Sequence, residues 1–229
     1  MIPVVTIDGP SGTGKGTIAG LLARRLGWHC LDSGALYRVV GLAARHRGID
    51  LAATEELVDL IAGMSLEFRD ERVYLGGEDV SDAIRTEEAG NAASRVAAQA
   101  GVRTALLDWQ RCAARSPGLV ADGRDMGSVV FPDAPLKIYL SASPEERARR
   151  RHKQLKEKGL DVSLPQLARE IAERDERDRQ RSVAPLVAPA GALVLDTTSL
   201  GIDEVLERVV EAAARVFPEA AGSPAPPSS

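Results

Sequence analysis

Between Val4 and Ile7 the chain is almost continuously apolar, and it then opens straight into Gly9-Pro10-Ser11-Gly12-Thr13-Gly14-Lys15-Gly16-Thr17. A run this short and apolar suits a strand covered on both faces of a parallel sheet. Past Lys15, the residues Ile18, Leu21, Leu22 and Leu26 recur at helical spacing until Gly27 stops them. Strand, glycine loop and helix in that order leave little freedom. The loop N–H groups turn inward, and the helix aims its positive N-terminal end at the same point. The segment therefore predicts a phosphate-binding loop from Gly9 to Thr17, with Lys15 adding a point charge. The strict form of such a loop has Ser or Thr directly after the Lys. Here Gly16 intervenes and Thr17 comes one place later, which weakens any direct bond from Thr17 to a metal ion.

The rest of the chain alternates in the same way. Trp28 to Leu31, Leu119 to Ala121, Leu136 to Leu140 and Ala192 to Leu195 read as further short strands. Between them, Asp32-Ser33-Gly34 reads as the cap of a helix carrying Leu36, Val39, Val40 and Ala43 inward, and Thr54 to Ile61 as another helix. Leu66–Phe68 and Val73–Leu75 look like a small antiparallel insertion within 65–80. The Ala-rich stretch 87–115 reads as two helices broken at Gly101. Ser143-Pro144-Glu145-Glu146 starts a helix, with Ser as N-cap, Pro first and Glu third, and a second charged helix runs from Ser163 to about Arg181. The last helix covers Ile202 to Phe217, and the Ala, Pro, Gly and Ser tail 218–229 is expected to be disordered. Strands alternating with helices predict a doubly wound α/β fold.

Composition narrows the function classes. A formal net charge of −4 argues against a protein that coats nucleic acid or membrane through a broad basic field. Positive charge is concentrated locally instead: residues 143–181 hold twelve Lys and Arg against nine Asp and Glu. Two cysteines, Cys30 and Cys112, are too few for a metal cluster and suit reduced thiols. No apolar run approaches the length of a membrane span, and the N-terminus has no basic, cleavable leader, so a cytoplasmic protein is expected.

Three further clusters can carry chemistry. Tyr37 and Arg38 lie one helical turn past Asp32-Ser33-Gly34 and can face a second ligand, although a capped helix with a surface Arg has the same pattern. Asp122-Gly123-Arg124-Asp125-Met126-Gly127 follows a buried strand and so falls at the carboxyl edge of the sheet, where such sheets bind ligands. There Asp122 could orient water on Mg²⁺, and Arg124 could neutralise phosphate. Arg174, Arg177, Asp178 and Arg181 share one helix face, as a merely solvated charged helix would also have them do. Phosphoryl transfer needs cations on the equatorial oxygens and exclusion of water, and an Arg-bearing helical hairpin over 145–181 can supply both.

The Gly-Lys-Gly-Thr ending of the loop resembles that of adenylate kinase and its relatives, which implies that Mg²⁺ sits chiefly on nucleotide phosphates and water. More specifically, the segments IDGPSGTGKGT, LDSGALYR, GEDVSDAIRT, NAAS, DGRDMG and ERDERDRQRSVAPL, in this order over nearly the whole chain, resemble the bacterial cytidylate kinases. The resemblance implies a parallel-sheet P-loop kinase core (about 1–35, 117–145 and 182–217), an enlarged monophosphate-binding insertion (36–116) and a helical lid (145–181). It implies ATP as donor and CMP or dCMP as acceptor; at 229 residues the chain need not oligomerise to fold, so a monomer is expected. On matching positions the resemblance puts Ser94, Arg103 and Asp125 on cytosine, and Arg38, Arg124 and Arg181 on phosphate. Tyr37, Arg174 and Asp178 fall near the sugar, and Asp32 and Ser33 on the acceptor side. Lys15, Arg124, Arg174 and Arg181 are the expected catalytic residues. Three rivals remain open at this point: another nucleotide or small-molecule kinase of the same loop type, a P-loop ATPase switch, and a nucleic-acid-binding module built on the basic hairpin. The lack of an Asn-Lys-x-Asp motif counts against a GTPase.

Overall fold

A computed structural model describes residues 2–69, 72–157, 159 and 161–221. In chain order, β1 (Val4–Asp8) leads into α1 (Lys15–Leu26), β2 (His29–Asp32), α2 (Ser33–His46) and α3 (Thr54–Ala62). Then come β3 (Leu66–Arg69), β4 (Arg72–Leu75), β5 (Glu78–Asp79), a single 3₁₀ turn at Ala83–Arg85, α4 (Glu87–Val96) and α5 (Ala100–Cys112). The chain continues through β6 (Leu119–Gly123), a π-turn at Met126–Val130, β7 (Leu136–Ser141), α6 (Pro144–Glu157) and α7 (Leu164–Gln180). It closes with β8 (Leu193–Asp196), α8 (Ile202–Val216) and α9 (Pro218–Ala221).

Contacts divide the chain into two units, residues 1–32 with 111–229, and residues 33–110. In the larger unit five strands lie in the order β2-β6-β1-β7-β8, every pairing parallel. β1 is central, and all five of its residues are buried, as its apolar run requires. Ile18, Ala19, Leu22, Ala23 and Leu26 of α1 join Val5, Ile7, Val120, Ile138 and Leu140 of the sheet and Val205, Val209 and Ala213 of α8 in one apolar core. α1 stops where the sequence predicts: the N–H groups of Gly27 and Trp28 return to the Arg24 and Ala23 carbonyls. α6 and α7 form a hairpin with its own small core of Ala148, Leu155, Leu167 and Ile171. Ser143 caps α6 by accepting from the Glu146 N–H at 3.2 Å, as its sequence motif predicts.

The smaller unit packs Ala35, Val39 and Leu42 of α2 against Val73, Val80 and Ile84. Its sheet has three antiparallel strands, β3-β4-β5; the third, Glu78–Asp79, is too short and polar to register as a strand in the sequence.

Three expectations need correction. The Ala-rich helices part at residues 97–99, and Gly101 lies inside α5. Gln99 in the break accepts from the Thr54 hydroxyl at 2.7 Å, while a Cβ on Gly101 would meet the Thr54 methyl at 2.7 Å, so this glycine serves close helix packing. Asp32 is the last residue of β2 and α2 begins at Ser33, so strand passes into helix without a separate capping turn. The tail begins as a helix over Pro218–Ala221, where Ala220 packs on the apolar core; residues 222–229 lie outside the described residues. Neither Cys30 nor Cys112 forms a disulfide, and among the described residues no helix is long and apolar enough to cross a membrane.

Candidate active site

The glycine loop joins the carboxyl end of β1 to the start of α1, where no acidic residue and no side-chain cap occupies the first turn. The helix therefore presents its free N–H groups and positive end to an anion. Lys15 is buried at this end, with Nζ donating to the Pro10 carbonyl at 3.2 Å, and the Thr13 hydroxyl donates to the same carbonyl at 3.1 Å. Burial depresses the Lys15 ammonium well below its usual range, and the neighbouring Arg124 adds to this, while Asp122 opposes it. A polyphosphate is the kind of anion that suits this enclosed ammonium.

Asp122, next to last in β6, lies beside the loop in register with Asp32 of β2 and Ile7 of β1. Burial pushes its carboxyl upward, against the pull of Lys15. Oδ1 is buried without a hydrogen-bond partner, and a Cβ on Gly16 would lie 3.0 Å from Oδ2. Gly16 is thus the residue that leaves room for this carboxylate, and a hard cation or its water suits the open oxygen.

The residues after Asp122 are fixed from beneath. Asp8, enclosed at the end of β1, accepts from the N–H groups of Met126 and Gly127 at 2.8 Å each, and these open the π-turn. Asp125, also buried, is the residue before that turn. Arg124 donates from Nε to Asp178 Oδ2 at 3.1 Å and from Nη1 to the Gly123 carbonyl at 3.3 Å. The other Asp178 oxygen lies 3.3 Å from Arg181 Nη2, and Arg181 Nε donates to the Asp178 carbonyl at 3.2 Å. One carboxylate thereby holds two guanidinium groups side by side, all three residues largely enclosed. Arg174 adds positive field at Lys15. Lys15, Asp32, Asp122, Arg124, Arg174, Asp178 and Arg181 are therefore brought together in the larger unit.

In the smaller unit, the Arg103 guanidinium lies over the ring of buried Tyr37, 5.7 Å from its centre, and Nη1 donates to the Ala97 carbonyl at 3.4 Å. Arg38 donates to the Ile84 carbonyl at 2.9 Å. Ser33 and Ser94 are both buried.

Several contacts that hold the glycine loop are not marked by the motifs. Arg150 reaches the Thr13 carbonyl at 3.4 Å and both the hydroxyl (3.1 Å) and the carbonyl of Thr197, so the far side of the glycine loop is held by α6. Arg147 and Asp175 form a second buried pair against Ser11. Both arginines belong to a run of charges whose helical spacing alone does not say which members turn inward, and Asp8 gives no sign in the sequence of the loop it anchors.

The family model for cytidylate kinase matches residues 5–215. A cytidylate kinase of Aeromonas salmonicida is 57% identical over 227 residues, covering 97% of this chain and 99% of the relative. Another, of Pseudomonas savastanoi pv. phaseolicola, is 59% identical over 214 residues, covering 91% and 93%. Among solved structures, an uncharacterized protein from Eubacterium ventriosum superposes with a TM-score of 0.50 at 11% identity, over 92% of this chain and 97% of that one, a likeness of fold alone. Because the family match spans the glycine loop, the Asp122–Gly127 edge and the arginine-bearing hairpin together, the chain belongs to the cytidylate kinase family.

Proposed function

We propose that this protein transfers the γ-phosphoryl group of ATP to CMP or dCMP, giving ADP and CDP or dCDP. The observation that carries the reading is the pair of guanidinium groups, Arg124 and Arg181, held on one Asp178 carboxylate in the unit that also buries Lys15 at the glycine loop. Such a grouping suits a transition state whose charge spreads over three equatorial phosphoryl oxygens. The acceptor is already an ionised phosphate, so a general base would add little. Positioning and charge stabilisation carry the rate.

In this reading the loop N–H groups and Lys15 bind the donor phosphates. Arg124, Arg174 and Arg181 offset charge on the group in flight, and the α6–α7 hairpin acts as a lid that keeps water out. Asp122, whose Oδ1 is buried without a hydrogen-bond partner, would hold Mg²⁺ arriving with ATP through water, and the ion would supply charge neutralisation at the donor phosphates. By the family resemblance the role of Arg38 is the acceptor phosphate, that of Asp32 and Ser33 the acceptor side, and that of Tyr37, Arg174 and Asp178 the sugar. For the base, the Asp125 carboxylate suits the exocyclic amine of cytosine, while the Ser94 hydroxyl and Arg103 guanidinium suit its ring acceptors. The protein is further read as a cytoplasmic monomer acting on free nucleotides, in keeping with its net charge of −4.

Steady-state kinetics with each substrate varied in turn tests the assignment. Asp125→Ala and Ser94→Ala are each expected to raise KM for CMP by about tenfold or more, the loss of a hydrogen bond worth ~1.5–3 kcal/mol, with KM for ATP within about twofold. Equal effects on both substrates would remove these residues from the base site.

A further inference from the structure

We propose that Arg147 and Asp175 are a positioning pair that ties the α6–α7 hairpin to the phosphate loop through both peptide groups of Ser11, and so sets where α7 presents Arg174 and Arg181. Arg147 sits in the first turn of α6, and its guanidinium makes three attachments: Nε donates to the Ala142 carbonyl at 3.1 Å, while Nη1 donates to the Ser11 carbonyl at 2.9 Å and pairs with Asp175. Asp175, on α7, accepts from the Ser11 N–H at 3.4 Å through its other oxygen. The two side chains, 4% and 0% exposed, thus join two helices and both peptide groups of one loop residue. The loop is shaped for this contact. Gly12 has φ +80, and a Cβ there would lie 3.0 Å from the Arg147 Cβ and 3.1 Å from its carbonyl oxygen, so no larger residue lets α6 seat against the loop.

Stability alone does not account for the pair. A buried ion pair loses hydration on both partners, and apolar residues of similar volume hold helices together as well or better. The hairpin already has such residues in Ala148, Leu155, Leu167 and Ile171. What the ion pair adds is geometry. Arg174 directly precedes Asp175, and Asp178, which holds Arg124 and Arg181, follows within one turn. Rotation or sliding of α7 at Asp175 therefore moves every phosphate-facing arginine on that helix, and a misplacement of about 1 Å can cost ~10²-fold in rate.

The inference rests on the kinase reading above, and the experiment separates the two. Arg147→Met, which keeps the stem but removes the fork, and the isosteric Asp175→Asn are compared with wild type and with Arg147→Lys. Four quantities are measured on the full chain: kcat and both KM values with ATP and CMP, ADP release without acceptor, thermal midpoint, and hydrogen exchange over residues 9–17 and 144–180. The expected result is a kcat lower by roughly 10–100-fold, with KM values within about threefold. Acceptor-free ADP release relative to transfer should rise about tenfold as the lid admits water, exchange should quicken in both segments, and Arg147→Lys should recover part of kcat. Near-wild-type kcat in folded variants overturns the proposal, as does a lowered thermal midpoint with unchanged kcat and unchanged ADP leakage. Should Arg147→Met fail to fold, Asp175→Asn and Arg147→Lys give the same reading. A wild type inert toward CMP would sink the kinase reading alone, because the exchange comparison still judges the pair.

Discussion

Asp8 shows how much a single enclosed carboxylate can organise. Its two oxygens hold consecutive peptide N–H groups of the π-turn, which fixes the backbone directly after Arg124 and Asp125. Burial raises its carboxyl from the usual 3.8 to about 6, against the two hydrogen bonds that favour the charged form. The native state therefore binds this proton more tightly than the unfolded chain does. The associated stability is complete below pH ~4 and is lost as pH rises through about 6, a change of about 3 kcal/mol. Asp8→Asn has no such titration. Urea midpoints at pH 4, 5, 6 and 7 should show the wild-type advantage over Asp8→Asn shrinking with rising pH, whereas a constant difference would contradict the assignment. Nothing in the sequence marks this role, because the partners at Met126 and Gly127 lie more than a hundred residues away. Gly16 was visible as a departure from the strict loop pattern, but its reason, the Asp122 carboxylate against its Cα, emerges only once β6 lies beside β1. Lys15, Arg124 and Arg181, which the structure brings together, stand in motifs that the sequence itself marks. Arg147 and Asp175 were not legible, since neighbouring charges on the same helices share their spacing and composition.

At the scale of elements, the strands and helices were legible where burial imposes a period. β1 and the start of β6 are apolar runs, β7 alternates buried Leu136, Ile138 and Leu140 with half-buried residues, and α1 and α8 carry their inward residues every three or four positions. Legibility fails where tertiary contact overrides local preference. Gly101 reads as a helix breaker but remains in α5, while the break falls where Gln99 bonds Thr54. The Glu78–Asp79 strand is polar and held by pairing with β4. Two glycines in helix interiors make the distinction measurable. A Cβ on Gly20 of α1 would meet only the Arg24 side-chain tip at 3.9 Å, whereas on Gly41 of α2 it would lie 2.8 Å from the Ala92 Cβ of α4. Gly20→Ala should therefore raise stability by about 0.5–1 kcal/mol through helix propensity. Gly41→Ala should lower it by about 1 kcal/mol or more as α2 and α4 are forced apart. Denaturant unfolding of the two variants checks both signs, and stabilisation by Gly41→Ala would show that this helix contact is looser than described.

For the whole molecule, each unit has an apolar core of its own, one around the parallel sheet and one beneath α2. The glycine loop constrains the first unit as a phosphate-handling sheet, and that much follows from the order strand, loop, helix. The acceptor is not written in the loop. It follows from the family to which the chain belongs, and in the proposed reading the buried Ser94, Arg103 and Asp125 meet the base. The most direct measurement is ADP release across a panel of acceptors, namely CMP, dCMP, UMP, AMP and shikimate, with a control lacking any acceptor. CMP or dCMP is expected to give the highest kcat/KM, above AMP by about 10²-fold or more as unpaired buried groups reject the purine edge. Preference for AMP or shikimate, or ADP release that proceeds equally without an acceptor, would contradict the assignment.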